Sequence, residues 1–327
     1  MISWLSSHYQ SLYLMVLAVA ASLATAASAQ SWPVKPIRLV VATAPGGGSD
    51  FVGRLIGARL TDVLGQQIVV ENRAGAGSTL GYEFGMRAAP DGYTLTIITP
   101  SYSINPSLYP LKFDAATDCT PIIKLASGPY VVVVHPSLPA KNIRELIALA
   151  KARPGQIAYG SSGQGAIVHL TTELFLYMAH VQMTHVPYKG GGIALSDVIA
   201  GQIQLVFATS QTGLSQAKAG RVRALAVTTP ERIAAEPNLP TIAESGVPGY
   251  EVTNWHALIG PKGLPRAVVE RLHAETAKIL KQKDMEERMQ SDGIAPAGGT
   301  PEQLHEHIRK EIAQWKQVVT QAGIKIN

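Results

Sequence analysis

Short apolar runs alternate along this chain with segments whose apolar positions recur every three or four residues, the marks of buried strands and amphipathic helices. Residues 37–41 read as a strand, and Val52, Leu55, Ile56, Leu60 and Val63 fall on one face of the helix expected next. Residues 68–71 are a second strand, 72–77 turn into a helix through 87, and Pro90-Asp91-Gly92 makes a turn before a third strand at 93–98. The run 130–134, followed by Pro136 and Pro139, reads as a crossover into a second unit. There Asn142 caps a helix whose Ile143, Leu146, Ile147 and Ala150 share a face, and Arg153-Pro154-Gly155 ends it. A strand at 157–159, a helix near 167–178 and strands at 181–186, 205–208 and 223–227 continue the alternation. From Trp255 onward helices dominate, with stripes at Val269, Leu272, Thr276 and Ile279 and at Ile308, Ile312, Trp315 and Val319.

Alternation of this kind predicts an α/β fold with mostly parallel sheets flanked by helices and right-handed crossovers. At 327 residues the chain exceeds the usual size of one core. The expected division places 30–130 and the returning helices of 256–327 in one lobe and 131–255 in the other. Ahead of both, the apolar stretch 12–23 and Ala27-Ser28-Ala29 before Gln30 read as a secretory signal peptide cleaved after Ala29. Cys119 is the only cysteine, which excludes an intramolecular disulfide and leaves an exported chain to be held by its core. These features point to the bacterial periplasm.

Composition narrows the partners. Aromatic residues are 6% and charged residues 16%, with a net charge of +5 and no Lys/Arg block able to track a phosphate backbone, so nucleic acid is not an expected partner.

Candidate chemistry lies in two glycine loops, each set where a strand ends and a helix begins. Pro45, Gly46, Gly47, Gly48, Ser49 and Asp50 form the first; Ser161, Ser162, Gly163, Gln164, Gly165 and Ala166 form the second. Such loops bare backbone N–H groups at a positive helix terminus, so each is an anion trap. Asp50 is awkward beside an anion; it can hold the loop, bind a water, or pair with a ligand ammonium. Gly75-Ala76-Gly77-Ser78-Thr79-Leu80-Gly81 is one residue too long for a dinucleotide fingerprint, and no Walker lysine or nucleophile elbow occurs. His305-Glu306-His307 has the wrong spacing for a helical metal site, and His169 and His185 read as inward-facing core histidines. No catalytic residue, metal site or cofactor is expected.

A series of motifs, in order, resembles the Bug family of periplasmic receptors associated with tripartite tricarboxylate transporters. They are Trp32-Pro33-x-Lys35-Pro36-Ile37-Arg38, Ala44-Pro45-Gly46-Gly47-Gly48, Val70-Glu71-Asn72-Arg73-x-Gly75-Ala76-Gly77, Ala89-Pro90-Asp91-Gly92-Tyr93, Ile104-Asn105-Pro106, His185-Val186-Pro187-Tyr188-Lys189-Gly190 and Gly246-Val247-Pro248-Gly249-Tyr250. The resemblance implies a two-lobe "Venus flytrap" with a hinge between lobes, acting as a monomer that closes on a small organic carboxylate and presents it to membrane transporter subunits. It also implies that main-chain groups and ordered waters of Pro45 to Asp50 and Ser161 to Ala166 hold the carboxylate. The chain departs from the family pattern at Thr43, at Thr99-Pro100-Ser101-Tyr102-Ser103 and at Phe207-Ala208-Thr209-Ser210. Ser101 is expected among the ligand contacts, while Tyr102, Thr209 and Ser210, with Lys189 as a second cation for a distal carboxylate, are expected to set what this receptor's ligand is. A ligand-sensing receptor for a membrane signalling partner, and a periplasmic enzyme acting on a carboxylic acid, are the alternatives.

Overall fold

The computed structural model describes residues 32–321, so the expected leader and its cleavage site lie outside the described residues. The first half of the chain runs β1 (Ile37–Val41), α1 (Gly48–Leu64), β2 (Ile68–Asn72), α2 (Thr79–Met86), β3 (Thr94–Ile98), α3 (Pro100–Ile104), β4 (Cys119–Val134), α4 (Ile143–Ala152) and β5 (Ala158–Ser161). It continues α5 (Ile167–Ala179), β6 (Thr184–Pro187), α6 (Gly191–Ile199), β7 (Leu205–Thr209), α7 (Ser210–Lys218), β8 (Arg223–Val227), β9 (Thr253–Pro261), α8 (Arg266–Leu280), α9 (Lys283–Ser291), β10 (Ala295–Gly298) and α10 (Pro301–Gln321).

Local signals account for most of these elements. Asn142 caps α4 by accepting a hydrogen bond from the Glu145 N–H at 2.9 Å, and Glu145 reaches back to the Lys141 N–H at 2.7 Å. In α1 the buried face is Val52, Ile56, Leu60 and Leu64, while Val63, expected on it, is exposed. Gly53 and Gly57 share that face and let the helix lie close on the sheet: a Cβ at Gly53 would stand 2.9 Å from Val41 Cγ2.

The sheet is mixed, and its one exceptional strand is β4. Its first half pairs antiparallel with β9 and β10, and beyond Pro129 its second half pairs with β7 and β8. The strand order is thus β2-β1-β3-β9-β4-β7-β5-β6, with parallel units (β2-β1-β3 and β7-β5-β6) at both ends. Every antiparallel pairing involves β4 or β9. The mostly parallel character expected from the sequence therefore holds in the outer units and gives way at the centre.

The crossover read at 130–134 is the second half of this 16-residue strand. From Trp255, where helices were expected, β9 runs instead. Eight of its nine residues are buried, so no polar alternation betrays it. Separate hydrophobic clusters cover the two regions: Leu39, Val52, Ile97 and Leu258 belong to one, Val132, Tyr159, Phe175 and Phe207 to another. Helix α10 links the second of these to a third cluster, placing Ile308 with Tyr82 and Trp255, and Trp315 and Val319 in the cluster around Val132 and Phe207.

Candidate functional site

Both glycine loops face one cavity. Its wall includes Gly47, Gly48 and Ser49 at the N-terminus of α1, Ser78 before α2, Thr99 and Ser101 at α3, Ile167 and Val168 opening α5, Gly191 and Gly192 opening α6, and Thr209 and Thr212 at α7. Tyr130, Phe207 and Asn254, from β4, β7 and β9, complete it with Thr43 and Ser162. The void is about 40 Å³, counted as room for water centres. One water needs roughly 10–15 Å³ by that measure, so a few small groups fit.

Among the described residues, no charged side chain lines this cavity. What the cavity meets is backbone at helix N-termini. The N–H groups of Gly48, Ser49 and Asp50 in α1, and of Val168 and His169 in α5, find no hydrogen-bond acceptor among the described residues. Five helices of eight or more residues (α1, α2, α5, α6 and α7) point their N-termini at one small space, so their dipoles add there.

The first loop is held from behind by Asp50. Its Oδ2 accepts from the Gly46 N–H and from Arg54 Nε, both at 3.0 Å, and its Oδ1 accepts from Asn72 Nδ2 at 3.0 Å. Burial pushes this carboxyl up, but the bonds from Arg54, Gly46 and Asn72 together outweigh burial and hold it below the usual carboxylate value. Of the three roles open to Asp50, the geometry matches the loop clamp. Its oxygens are engaged and the residue is absent from the cavity wall. Gly46 adopts a φ of 82°, a left-handed turn that costs glycine little.

The second loop is held by stacked histidines. The Gly165 N–H donates to His169 Nδ1 at 3.1 Å, and Ser161 Oγ lies 2.6 Å from His185 Nε2. The two imidazoles stack with centroids 4.0 Å apart. Burial, then the neighbouring His185, brings His169 down to about 3; burial brings His185 down to about 4. Both rings are neutral near pH 7 and serve as core supports. Ser161 and His185 approach nucleophile–base geometry. Ser161, however, is fully buried and does not border the cavity.

Neighbouring segments around the cavity are also tied to one another. The Ala44 N–H donates to the Lys189 carbonyl at 3.3 Å, the Ile167 N–H donates to Ser101 Oγ at 2.9 Å, and Tyr109 OH donates to the Gln164 carbonyl. Thr209 packs on Gly48 so closely that a Cβ there would stand 2.7 Å from its Oγ1.

Of the residues expected at the site, Gly47, Gly48, Ser49, Ser101, Ser162 and Thr209 border the cavity. Gly163, Gln164 and Lys189 instead line an outer crevice of about 330 Å³, with Tyr109 and Gly77. Pro45 and Gly46 are exposed turn residues, and Ser161, Gly165 and Ala166 lie buried behind the loop surface. Tyr102 is fully buried, its ring against Tyr82 and Phe113 and its hydroxyl toward Met86 Sδ at 3.6 Å; aromatic packing turns it away from the cavity. Ser210 is fully buried and turned toward Gly293.

Sequence reading missed Gly191 and Gly192, although the same strand–glycine–helix signal marks them. It also missed Tyr130 and Asn254, which carry no local signal because strand pairing alone brings them in.

Comparison with known proteins gives a consistent picture. The family model described as "Tripartite tricarboxylate transporter family receptor" matches residues 52–324. Protein BugT of Bordetella pertussis (strain Tohama I) is 34% identical over 309 residues, covering 94% of this chain and 95% of that protein. A solved structure, "R. palustris Rpa4515 with adipate", superposes with a TM-score of 0.87 at 38% identity, covering 90% of this chain and 99% of the other. "MatC (Rpa3494) from Rhodopseudomonas palustris with bound malate" does so with a TM-score of 0.83 at 30% identity, covering 88% and 100%.

Proposed function

The chain belongs to the tripartite tricarboxylate transporter receptor family, and from that premise we propose that it captures a small organic carboxylate in the cavity between its glycine loops, without chemistry. One observation carries this reading: the N-termini of five helices of eight or more residues converge on a cavity with no charged side chain in its wall. A carboxylate there accepts hydrogen bonds from otherwise unpaired N–H groups and sits in a field of favourable sign. The adipate and malate bound by its structural relatives support the same ligand class.

We further propose that residues 30–130 with 256–327, and 131–255, act as two lobes. The exchange of partners along β4 at Pro129–Tyr130 supports that division. Hydrogen bonds across the cleft then form only on closure, so a ligand that both loops touch favours the closed state. On this reading the chain is a monomeric periplasmic receptor that hands its ligand to transporter membrane subunits. Export is checked by mass spectrometry of the mature N-terminus, expected at Gln30.

The decisive test is titration calorimetry with mono-, di- and tricarboxylates, acidic amino acids and aromatic acids. Micromolar or tighter binding of at least one acid, recovered unchanged after incubation, is expected. A flat response to all of them overturns the ligand class, and conversion of the acid overturns the absence of chemistry.

A further inference from the structure

One polar side chain on the cavity wall stands apart from the loops. Asn254 lies on β9 opposite Gly128 of β4, is 2% exposed, and borders the cavity. Its Oδ1 accepts a hydrogen bond from Tyr130 OH at 2.8 Å. Tyr130 is fully enclosed, and burial keeps its hydroxyl protonated well above the ordinary tyrosine range. That phenol has no other acceptor among the described residues, so its proton goes to Asn254 Oδ1 and decides the orientation of the amide. The amide nitrogen is left with no acceptor among the described residues, on a wall whose remaining side chains are hydroxylic or apolar.

The pair is rigidly mounted. The Tyr130 N–H donates to Thr228 Oγ1 at 2.8 Å, Thr228 Oγ1 donates to the Val252 carbonyl at 2.7 Å, and the Thr228 N–H donates to the Tyr130 carbonyl at 3.0 Å. Thr228 thus pins β4 to the entry of β9. A donor held this firmly and left unpaired at the edge of a cavity is a preorganised reader of an oxygen acceptor.

Resting on the carboxylate-receptor reading, we infer that Asn254 is a specificity-determining residue whose Nδ2 binds a second carboxylate on the ligand, and that Tyr130 is the positioning residue that aims it. The glycine loops grip one carboxylate generically; Asn254 separates a diacid from the monoacid of the same length. A hydrogen bond to a charged partner inside a cavity corresponds to roughly 10- to 100-fold in affinity.

The test uses two matched pairs, succinate with butyrate and adipate with hexanoate, titrated calorimetrically into the wild type and into Tyr130→Phe/Asn254→Leu. The double variant removes both partners of a buried hydrogen bond, which leaves no orphaned polar group. The expected result is a wild-type preference for the diacid that falls at least tenfold in the double variant, while monoacid affinity stays within about threefold. Should that variant not fold, Asn254→Ser keeps a partner for the Tyr130 hydroxyl but withdraws the amide, and the same tenfold fall is expected. A fall of less than tenfold overturns the role of Asn254. A wild type that binds monoacids as tightly as diacids also overturns it but spares the receptor reading, as does a wild type that binds none of these four probes yet binds another acid of the wider titration; a flat response to every acid overturns both.

Discussion

Gly48 offers a direct probe of closure. It opens α1 and packs against Thr209 at the end of β7, in what we propose is the other lobe. Alanine there would place its Cβ 2.7 Å from Thr209 Oγ1, 2.8 Å from Cγ2 and 2.9 Å from Cβ. These distances fall about 0.6 to 0.8 Å short of a favourable contact near 3.5 Å. Because Thr209 Cβ is among the atoms met, a rotamer change cannot relieve the overlap and the two segments must separate. Overpacking of this kind costs roughly 1–3 kcal/mol, which is about 5- to 150-fold in affinity if it acts on the closed state alone. In the proposed open state the overlap is absent, and alanine limits the unfolded chain relative to glycine by about 0.4–1 kcal/mol. Gly48→Ala is therefore expected to keep or raise the unliganded melting temperature while weakening adipate or malate binding, read by calorimetry. Thr209→Gly removes all three atoms, so Gly48→Ala should cost far less in that background. The reasoning is refuted if Gly48→Ala binds as the wild type does, or if its loss is the same size with and without Thr209.

Further outcomes follow from the packing and charge around the same site. His256 is fully buried with neither ring nitrogen bonded, and burial lowers it to about 4. Below pH 6.5 the unfolded chain takes up a proton that the folded chain refuses, so stability is lost as pH falls from about 6.5 towards 4, by on the order of 3 kcal/mol for this group. Thermal melts across that range should show the fall, and His256→Gln should lessen it; an identical slope in the variant refutes the assignment. A Cβ at Gly81 would meet Ala42 Cα and the Arg73 carbonyl at 2.7 Å, both backbone atoms that cannot turn aside. Gly81→Ala should thus destabilise by about 1–3 kcal/mol and lower the melting temperature by several degrees, and an unchanged value would sink the claim. Finally, among the described residues no carboxylate lines the cavity and the Asp50 oxygens are taken, so a ligand ammonium meets no counter-charge there. Malate should bind at least about tenfold tighter than aspartate, and equal affinities by calorimetry would show an unseen partner for the amine.

What the sequence determined by itself are the features that neighbours in the chain can encode. The cap at Asn142, the strand 223–227, the helical stripe through Ile308 and Trp315, and the two glycine loops between strand and helix depend on residues a few positions apart. The order of motifs likewise sufficed to identify the family. Tertiary structure decided the rest. Strand β9 was invisible because burial on both faces erases the period-two pattern, and β10, Ala-Pro-Ala-Gly, has no strand-forming side chain. Tyr102 looked like a ligand contact until aromatic neighbours claimed it, while Asn254 and Tyr130, far apart in sequence, met at the cavity only because β4 changes partners in mid-strand. Turn and capping energies are local and therefore legible; pairing between distant strands depends on what each face buries against, and that is settled only when the whole chain packs.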